Sequence, residues 1–99
     1  MLNQTVLVGR LVSKPEIKGE EKKYATITLA VPRSYKNEEG IYDTDFISAT
    51  LFGSVATNTV EYCNKGDVVG IKGRLQTTDD KLELIAEKVT FLSSKKEDE

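Results

Sequence analysis

The chain has 99 residues, of which 30% are charged and 38% hydrophobic, with a formal net charge of −2. This composition is typical of one soluble globular domain, and a disordered chain is not expected. No apolar run approaches the roughly 20 residues that cross a bilayer. The sequence contains no histidine and a single cysteine, Cys63. It therefore excludes an internal disulfide and argues against transition-metal sites, cofactors and histidine-based catalysis.

The N-terminus and the cysteine content bear on where the protein resides. Met1-Leu2-Asn3-Gln4 lacks the basic start and the apolar stretch of a signal peptide. A lone cysteine favours a reducing compartment. We therefore expect a cytoplasmic protein without a membrane partner.

The first predicted strand runs from Gln4 to Val12, where valine and leucine dominate. Gly9 within it indicates a bend or a close backbone approach. The charged segment that follows contains Pro15 and Gly19 and predicts a loop. Its lysines alternate with glutamates, which predicts a solvated surface rather than a basic patch.

The second predicted strand runs from Tyr24 to Val31, where apolar and polar residues alternate. Because strand side chains alternate between faces, this pattern indicates a half-buried strand. Tyr24 shares the polar side, where it either joins a binding face or fills a gap beside it. Pro32 is predicted to end the strand, since proline cannot donate to the ladder. The polar residues from Arg33 to Tyr42 predict a hairpin connection.

The third predicted strand, Asp43 to Phe52, carries two aromatic rings on its polar side. The alternate residues from Ile47 to Leu51 are apolar and indicate the core side, whereas Phe46 and Phe52 alternate with threonine and serine. Exposed phenylalanine lowers solubility unless a partner covers it. Unpaired nucleobases are flat and would stack on these rings. A subunit or protein interface, where aromatics are also enriched, is the alternative.

A short helix and two further strands complete the predicted order. Ser54 is predicted to cap a helix that stops before Gly66. A fourth strand is predicted from Asp67 to Thr77, and a fifth from Lys81 to Phe91. Five strands with one helix between the third and the fourth predict an all-β OB-fold barrel.

The parity of residues in the last two strands assigns their faces. In the fourth strand, Lys72 and Arg74 share the outward parity. In the fifth strand, Ile85, Val89 and Phe91 share one parity and are predicted to face the core.

Four cations on strands or strand ends are predicted to contact nucleic-acid phosphates: Arg10, Arg33, Lys72 and Arg74. The negative net charge does not exclude such a partner, because only cations that face phosphates contribute to binding. The alternative for each residue is an ordinary solvated cation. Two pairs of aspartates, Asp43 with Asp45 and Asp79 with Asp80, are interpreted as turn and strand-edge residues rather than as catalytic groups.

Several short motifs occur in one order along the chain: Asn3 to Leu11 with Pro15-Glu16, Thr28 to Val31, Asp45-Phe46-Ile47, Leu51-Phe52-Gly53, Tyr62 with Lys65-Gly66, and Gly73-Arg74-Leu75. Together they resemble the bacterial and phage single-stranded DNA-binding proteins, over residues 3–92. The resemblance implies an OB-fold domain over residues 1–92. It also implies a non-enzymatic protein that coats single-stranded DNA in replication, recombination or repair, without much sequence preference.

The resemblance also implies roles for particular residues. Bases would stack on Phe46, Phe52 and Tyr35, although Tyr35 in its polar loop could instead cover its own turn. Tyr42 and Tyr62 are predicted to be structural. The family usually forms homotetramers through its first strands, which implies a tetramer with Asn3 to Val8 at the seam between subunits.

Two departures from the family pattern qualify these expectations. The hairpin between the last two strands is short and lacks an aromatic residue, so a shorter or weaker site is expected. The C-terminus ends Glu97-Asp98-Glu99, without the family's terminal proline and phenylalanine. Recruitment of other proteins through such a tip is therefore not expected, and residues 93–99 are predicted to be a disordered tail.

Two further functions remain open from the residues. A primosomal replication protein, which is a dimeric relative, would match the short hairpin and the missing tip better. A protein-interaction adaptor would use Phe46 and Phe52 as hydrophobic anchors. An enzyme has the least support in the sequence.

Overall fold

A computed structural model of the chain describes residues 1–94. Its elements in chain order are β1 (Thr5–Leu11), β2 (Tyr24–Lys36), β3 (Tyr42–Phe52), α1 (Gly53–Tyr62), β4 (Val68–Thr78) and β5 (Lys81–Ser93). The predicted order, five strands with one helix between the third and the fourth, is confirmed.

The five strands close into a barrel in the order β1-β2-β3-β5-β4. All neighbours are antiparallel except β3 and β5, which are parallel. β1 pairs with β4 over Thr5 to Arg10 and with β2 over Arg10 and Leu11, so this one strand closes the barrel. Closure removes the free strand edges that would otherwise invite aggregation. The predicted OB-fold architecture is confirmed.

The core fills the barrel with aliphatic side chains from every strand and from the helix. Burial alternates along the strands, as a single wet face requires. The largest fully buried side chains are Leu11, Ile27, Leu29, Leu51, Val69 and Ile71. Ala56 of α1 joins the same cluster, so the helix packs on the barrel interior. Each large buried side chain favours folding by roughly 1.5–3 kcal/mol.

The prediction that Pro32 ends the second strand is wrong, because β2 continues to Lys36. Pro32 pairs with Thr44, and the ladder resumes where Lys36 pairs with Tyr42. Between these two pairs, β3 contributes a single residue, Asp43, whereas β2 contributes more than one. The extra residues of β2 form a bulge. Proline is tolerated beside a bulge because the ladder is already interrupted there.

The register of β5 against β4 shifts by one residue at Glu87, which has no partner in β4. Side chains before and after this bulge therefore alternate in opposite senses. Val89 pairs with Ile71 and faces the core, whereas Ile85 pairs with Arg74 on the outer face, although neighbouring side chains cover it. The prediction that Ile85 and Val89 share one face is wrong for this reason.

The predicted core position of Phe91 is also wrong, since 49% of its surface is exposed. Phe91 pairs with the buried Val69 and so points inward. It lies at the rim of the barrel, in a small cleft shared with Tyr62 of α1. At this position, residue parity correctly predicts that the side chain points inward. Parity does not predict whether enough core side chains are present to bury it.

Helix α1 begins at Gly53, directly after β3, so the prediction that Ser54 caps it is wrong. Phe52 occupies the N-cap position without a side-chain hydrogen bond. Gly53 has a φ of 58°, and its N–H donates to the carbonyl oxygen of Lys23 at 3.1 Å. Glycine adopts positive φ without steric cost, which permits the abrupt change from strand to helix.

The predicted domain boundary at residue 92 falls next to the end of β5 at Ser93. Most of the predicted tail, residues 93–99, lies outside the described residues. Its disorder stays a prediction.

Candidate nucleic-acid interface

The outer face of the β2–β3 ladder displays the two phenylalanines of the third strand. Phe46 pairs with Ala30, and Phe52 pairs with Tyr24. Residues directly opposite each other in a ladder share a face of the sheet. Ala49, which has the opposite parity on β3, is buried in the core, so both phenylalanines lie on the outer face. Phe46 is 68% exposed and Phe52 is 51% exposed. The predicted exposure of both rings is confirmed.

Tyr24 lies on this same exposed face, opposite Phe52. Its ring centroid lies 6.4 Å from that of Phe52, and the two ring planes are inclined by 43°. This tilted geometry is one that aromatic pairs favour. Tyr24 therefore supports Phe52 from the neighbouring strand while its own ring stays partly exposed.

Tyr42 is a residue of this face that the sequence analysis assigned to a structural role. It has the same parity on β3 as Phe46 and pairs with Lys36 across the hairpin. The Lys36 ammonium lies 5.6 Å from the centroid of its ring, within the range of a cation–π contact. Half of the Tyr42 surface is exposed. Extending the strand alternation two residues upstream of Thr44 would have found it.

Hydroxyl groups separate the aromatic rings of this face. The hydroxyls of Thr28 and Ser48 lie 3.2 Å apart across the ladder. Further along β3, the Thr50 hydroxyl donates to a Glu83 carboxylate oxygen at 3.1 Å. The face thus alternates apolar platforms with short polar side chains. Such a surface suits ligands with flat rings and polar edges.

Arg10 lies in the same cross-strand row as Phe46 on the curved outer surface of the barrel, with Ala30 of β2 between them. Arg10 pairs with Ala30, which in turn pairs with Phe46, so the three residues form one row across β1, β2 and β3. One guanidinium nitrogen, Nη1, donates to the Gly66 carbonyl at 2.6 Å. That bond uses one of the five N–H donors of arginine. The structure therefore brings Arg10 together with the aromatic face, as predicted.

Arg74 lies at the far edge of the same surface. It pairs with Ile85, and Ile85 pairs with Thr50, so one row connects β4 to the aromatic strand. Its guanidinium donates to Gln76 at 2.6 Å and lies 3.4 Å from a carboxylate oxygen of Glu87. Arg74 is thus adjacent to the face but already engaged by an acidic neighbour.

Lys72 lies apart from the aromatic rings. It pairs with Val6 of β1 and with Lys88 of β5. These partners place it on the outer surface of β1, β4 and β5 rather than on the β2–β3 ladder. The structure does not bring Lys72 together with Phe46.

Arg33 points to the opposite side of the hairpin from Phe46. Its Nε and Nη2 donate to the two carboxylate oxygens of Asp45 at 3.1 and 3.0 Å, and Nη1 lies 3.8 Å from Asp43. Asp45 pairs with Val31 and has the parity of the core residues of β3. The hydrogen bond from Arg33 holds the pKa of Asp45 below its usual value, and the same bond raises the pKa of Arg33.

Tyr35 lies within the β2 bulge and is 62% exposed. It lies two residues after Arg33 on the same strand. The structure therefore places Tyr35 on the hairpin beside Arg33 and not in the row of Phe46. The high exposure of its ring does not favour the alternative in which Tyr35 covers its own turn.

An open cleft of about 610 Å³ adjoins Phe52. It is lined by Phe52 and by Glu21, Lys22, Lys23, Gly53, Ser54 and Thr57. The loop between β1 and β2 is predicted to be a solvated surface, and its glutamates and lysines are exposed. The structure adds that two of its lysines border the aromatic face, which charge alternation in the sequence does not reveal.

The structure also bears on other kinds of site. Within residues 1–94, no three His, Cys, Asp or Glu side chains lie together as a metal site requires. No helix in that same part of the chain is long and apolar enough to span a bilayer. Cys63 is a free, buried thiol.

Comparison with known proteins supports the same architecture. A protein from Bacillus subtilis (strain 168), single-stranded DNA-binding protein B, is 44% identical over 79 residues, which cover 78% of this chain and 70% of that protein. Single-stranded DNA-binding protein 2 of Staphylococcus aureus (strain COL) is 41% identical over 106 residues, covering 96% and 76% respectively.

A solved structure has the same fold. It is a deletion mutant of the single-stranded DNA binding protein from Thermus aquaticus, with a TM-score of 0.74 and 22% sequence identity. The match covers 93% of this chain and 51% of that one, so the chain spans about half the length of the Thermus protein. The model of the single-strand binding protein family matches residues 2–92. This chain belongs to the single-strand binding protein family.

Proposed function

We propose that this chain binds and coats single-stranded DNA through the outer face of β2 and β3, without marked sequence preference. One observation carries the proposal: Tyr24, Tyr42, Phe46 and Phe52 lie on one exposed face of a closed barrel. Family membership and the names of the relatives support the same ligand. Roles in DNA replication, recombination and repair follow from the family.

Stacking supplies the affinity in this mechanism. Each base that stacks on an aromatic side chain contributes about 1–3 kcal/mol, and every base has a π-face, so the contact tolerates any sequence. Phe46 and Phe52 are separated along β3 by the hydroxyl residues Ser48 and Thr50, which leaves each ring accessible from solvent. We propose that Tyr35, on the projecting hairpin, stacks a further base.

Cations beside the face hold the phosphate backbone. Arg10 lies in the same cross-strand row as Phe46, and Arg74 lies at the far edge of the same surface. Phosphate contacts of this kind release counterions and carry no sequence information. Lys72 contacts the DNA only where the bound single strand continues around the barrel onto β4. Binding in this mechanism needs neither a cofactor nor a catalytic group.

Titration with oligo(dT), followed by tyrosine fluorescence and by anisotropy of labelled DNA, tests the proposal. Phe46→Ala should weaken binding about 5- to 150-fold, the equivalent of one lost stacking platform. Tyr62→Ala is a matched control, because Tyr62 is 67% exposed and lies on α1. Failure of the wild-type protein to bind oligo(dT) at low salt would refute the proposal and favour a protein-interaction adaptor instead. Equal effects of the two substitutions would remove Phe46 from the site.

We further propose a homotetramer that assembles through the first strand, Asn3 to Val8. Outward-facing Val6 and Val8 are 64% and 53% exposed, and the Leu92 side chain lies near Val8 across Gly70. An apolar strip of this kind favours a subunit interface. A tetramer would let one DNA strand cross several binding faces. The resulting avidity would offset the missing aromatic side chain in the hairpin between β4 and β5.

Mass in solution tests the assembly. Light scattering should give four chains for the wild type, and Val8→Asp should lower the mass because it places a charge in the apolar strip. Two chains for the wild type would favour the primosomal relative instead. We also infer a cytoplasmic location, supported by the unpaired Cys63 and by the bacterial relatives.

A further inference from the structure

We infer that Arg33 is a positioning residue of the DNA-binding hairpin, and that it orients the aromatic side chains through Asp45 instead of contacting phosphate. The inference rests on the proposed function and refines it. Its basis is the side-chain network on the face of the hairpin opposite Phe46. That network lies where the backbone ladder is interrupted by the β2 bulge.

At the bulge, regular backbone pairing does not hold β2 and β3 together. Between the pairs Pro32–Thr44 and Lys36–Tyr42, the β2–β3 ladder has no regular pairing. Tyr35 lies within this interval, and Phe46 begins the regular ladder beyond it. A bulge without supporting contacts leaves its residues free to move, which lowers the affinity of any site built on them.

A chain of side-chain contacts crosses this interval. The Arg33 guanidinium forms two hydrogen bonds with Asp45 and lies 3.8 Å from Asp43. An Asp43 carboxylate oxygen accepts from the Asn37 side-chain amide at 3.2 Å. The side-chain amide oxygen of Asn37, Oδ1, in turn accepts from the backbone N–H groups of Glu39 and Ile41 at 2.8 and 3.0 Å. The network thus connects the hairpin turn to the first regular part of β3.

The position of Arg33 gives this network influence over both aromatics. Arg33 lies two residues before Tyr35, and Asp45 directly precedes Phe46. Fixing these two backbone positions relative to each other fixes the spacing of the two rings. The guanidinium fork presents two parallel donors to one carboxylate, a geometry that lysine cannot reproduce.

The same contacts argue against a phosphate role. Two of the nitrogens of Arg33 already serve Asp45, and the third lies near Asp43. A phosphate approaching this guanidinium would also meet those two carboxylates. Arg10, by contrast, donates to a neutral carbonyl, that of Gly66, and meets no carboxylate within residues 1–94, which makes it the better phosphate ligand.

Asp45→Asn separates the two roles because it releases Arg33 while leaving its charge in place. If Arg33 positions the hairpin, Asp45→Asn should weaken oligo(dT) binding roughly 2- to 12-fold, the equivalent of ordering one more side chain on binding. If Arg33 contacts phosphate, the released guanidinium should bind DNA as tightly as before or more tightly. Arg33→Lys should weaken binding to a similar extent in the first case and leave it nearly unchanged in the second.

The dependence of binding on salt provides an independent readout. Loss of a phosphate contact lowers the slope of log Kobs against log salt by about 0.7 for single strands. Arg33→Gln removes the charge, so it should lower this slope if Arg33 contacts phosphate and leave the slope unchanged if Arg33 positions the hairpin. Glu61→Gln is the matched control, since it also removes one exposed carboxylate, but on α1, and should change affinity little.

The outcomes distinguish this inference from the proposed function. Wild-type affinity in Asp45→Asn, or a reduced salt slope in Arg33→Gln, overturns the positioning role while oligo(dT) binding itself stands. Wild-type protein that does not bind oligo(dT) refutes the proposed function. Weakened binding at an unchanged slope, with a melting temperature close to that of the wild type, supports the inference.

Discussion

Gly73 of β4 lies so close to the backbone of Ile85 in β5 that a Cβ atom at position 73 would overlap the Ile85 carbonyl oxygen. This contact occurs beside the Glu87 bulge, where the two strands change register. Backbone atoms cannot move aside as a flexible side chain can. The absence of a side chain at residue 73 is therefore a condition for closing the barrel at this point.

Gly73→Ala should lower the free energy of unfolding by roughly 1–3 kcal/mol, because the added methyl group forces a backbone shift. Gly70→Ala is the matched control on the same strand, where a Cβ would meet its nearest atom at 3.7 Å, an ordinary contact. Urea denaturation measures both variants. Equal stability of the two would contradict the close approach.

Phe52→Ala should destabilise the fold more than Phe46→Ala, since Phe52 contacts Tyr24 and Phe46 is the more exposed ring. The expected difference is about 0.5–1.5 kcal/mol, the contribution of an aromatic pair. Denaturation of both variants measures it, with oligo(dT) titration alongside. A larger loss in Phe46→Ala would place that ring in a packed interface.

Arg10→Gln should weaken oligo(dT) binding and lower the salt slope by about 0.7, because Arg10 lies in the same cross-strand row as Phe46 and retains free N–H donors for a phosphate. Lys14→Gln is the matched cation control. The Lys14 ammonium donates to the carbonyl oxygens of Val60 and Cys63 near the end of α1. Its removal should leave the slope unchanged, and a slope that falls only in Lys14→Gln would reverse the assignment.

The Cys63 thiol should react with a disulfide reagent only through opening of the fold. Burial raises the pKa of this thiol, with a smaller contribution from Asp67 in the same direction, so little thiolate is present at neutral pH. Labelling should be roughly 100-fold or more slower than that of an exposed Ser54→Cys thiol in a Cys63→Ser background. Rapid labelling of native protein would show that the thiol is accessible.

The raised pKa also gives a direction to the pH dependence of stability. Folding favours the neutral thiol, so its contribution is complete below the pKa of the unfolded thiol. That contribution is lost as pH rises through the higher folded-state pKa. Cys63→Ser should therefore flatten the alkaline side of the stability profile, which denaturation at several pH values measures.

Much of the fold follows from local sequence patterns. Alternation in β2 and β3 assigned Ile27, Leu29 and Leu51 to the core and Phe46 and Phe52 to the surface, and the structure agrees. Period-two alternation survives because a strand of regular pairing repeats the same geometry at each residue. It fails at the β5 bulge, where one unpaired residue reverses the faces of the strand.

The residues themselves determined which groups were available for binding: aromatic rings, 14 lysines and arginines, and no histidine. Tertiary structure alone decided which of them act together. Arg33 and Arg10 look alike along the chain, yet pairing across the hairpin places Arg33 on Asp45, and the pairing of β1 with β2 places Arg10 in the row of Phe46. Alternation within a strand is local, whereas such partners come from segments distant in sequence that only the register of the ladder brings together.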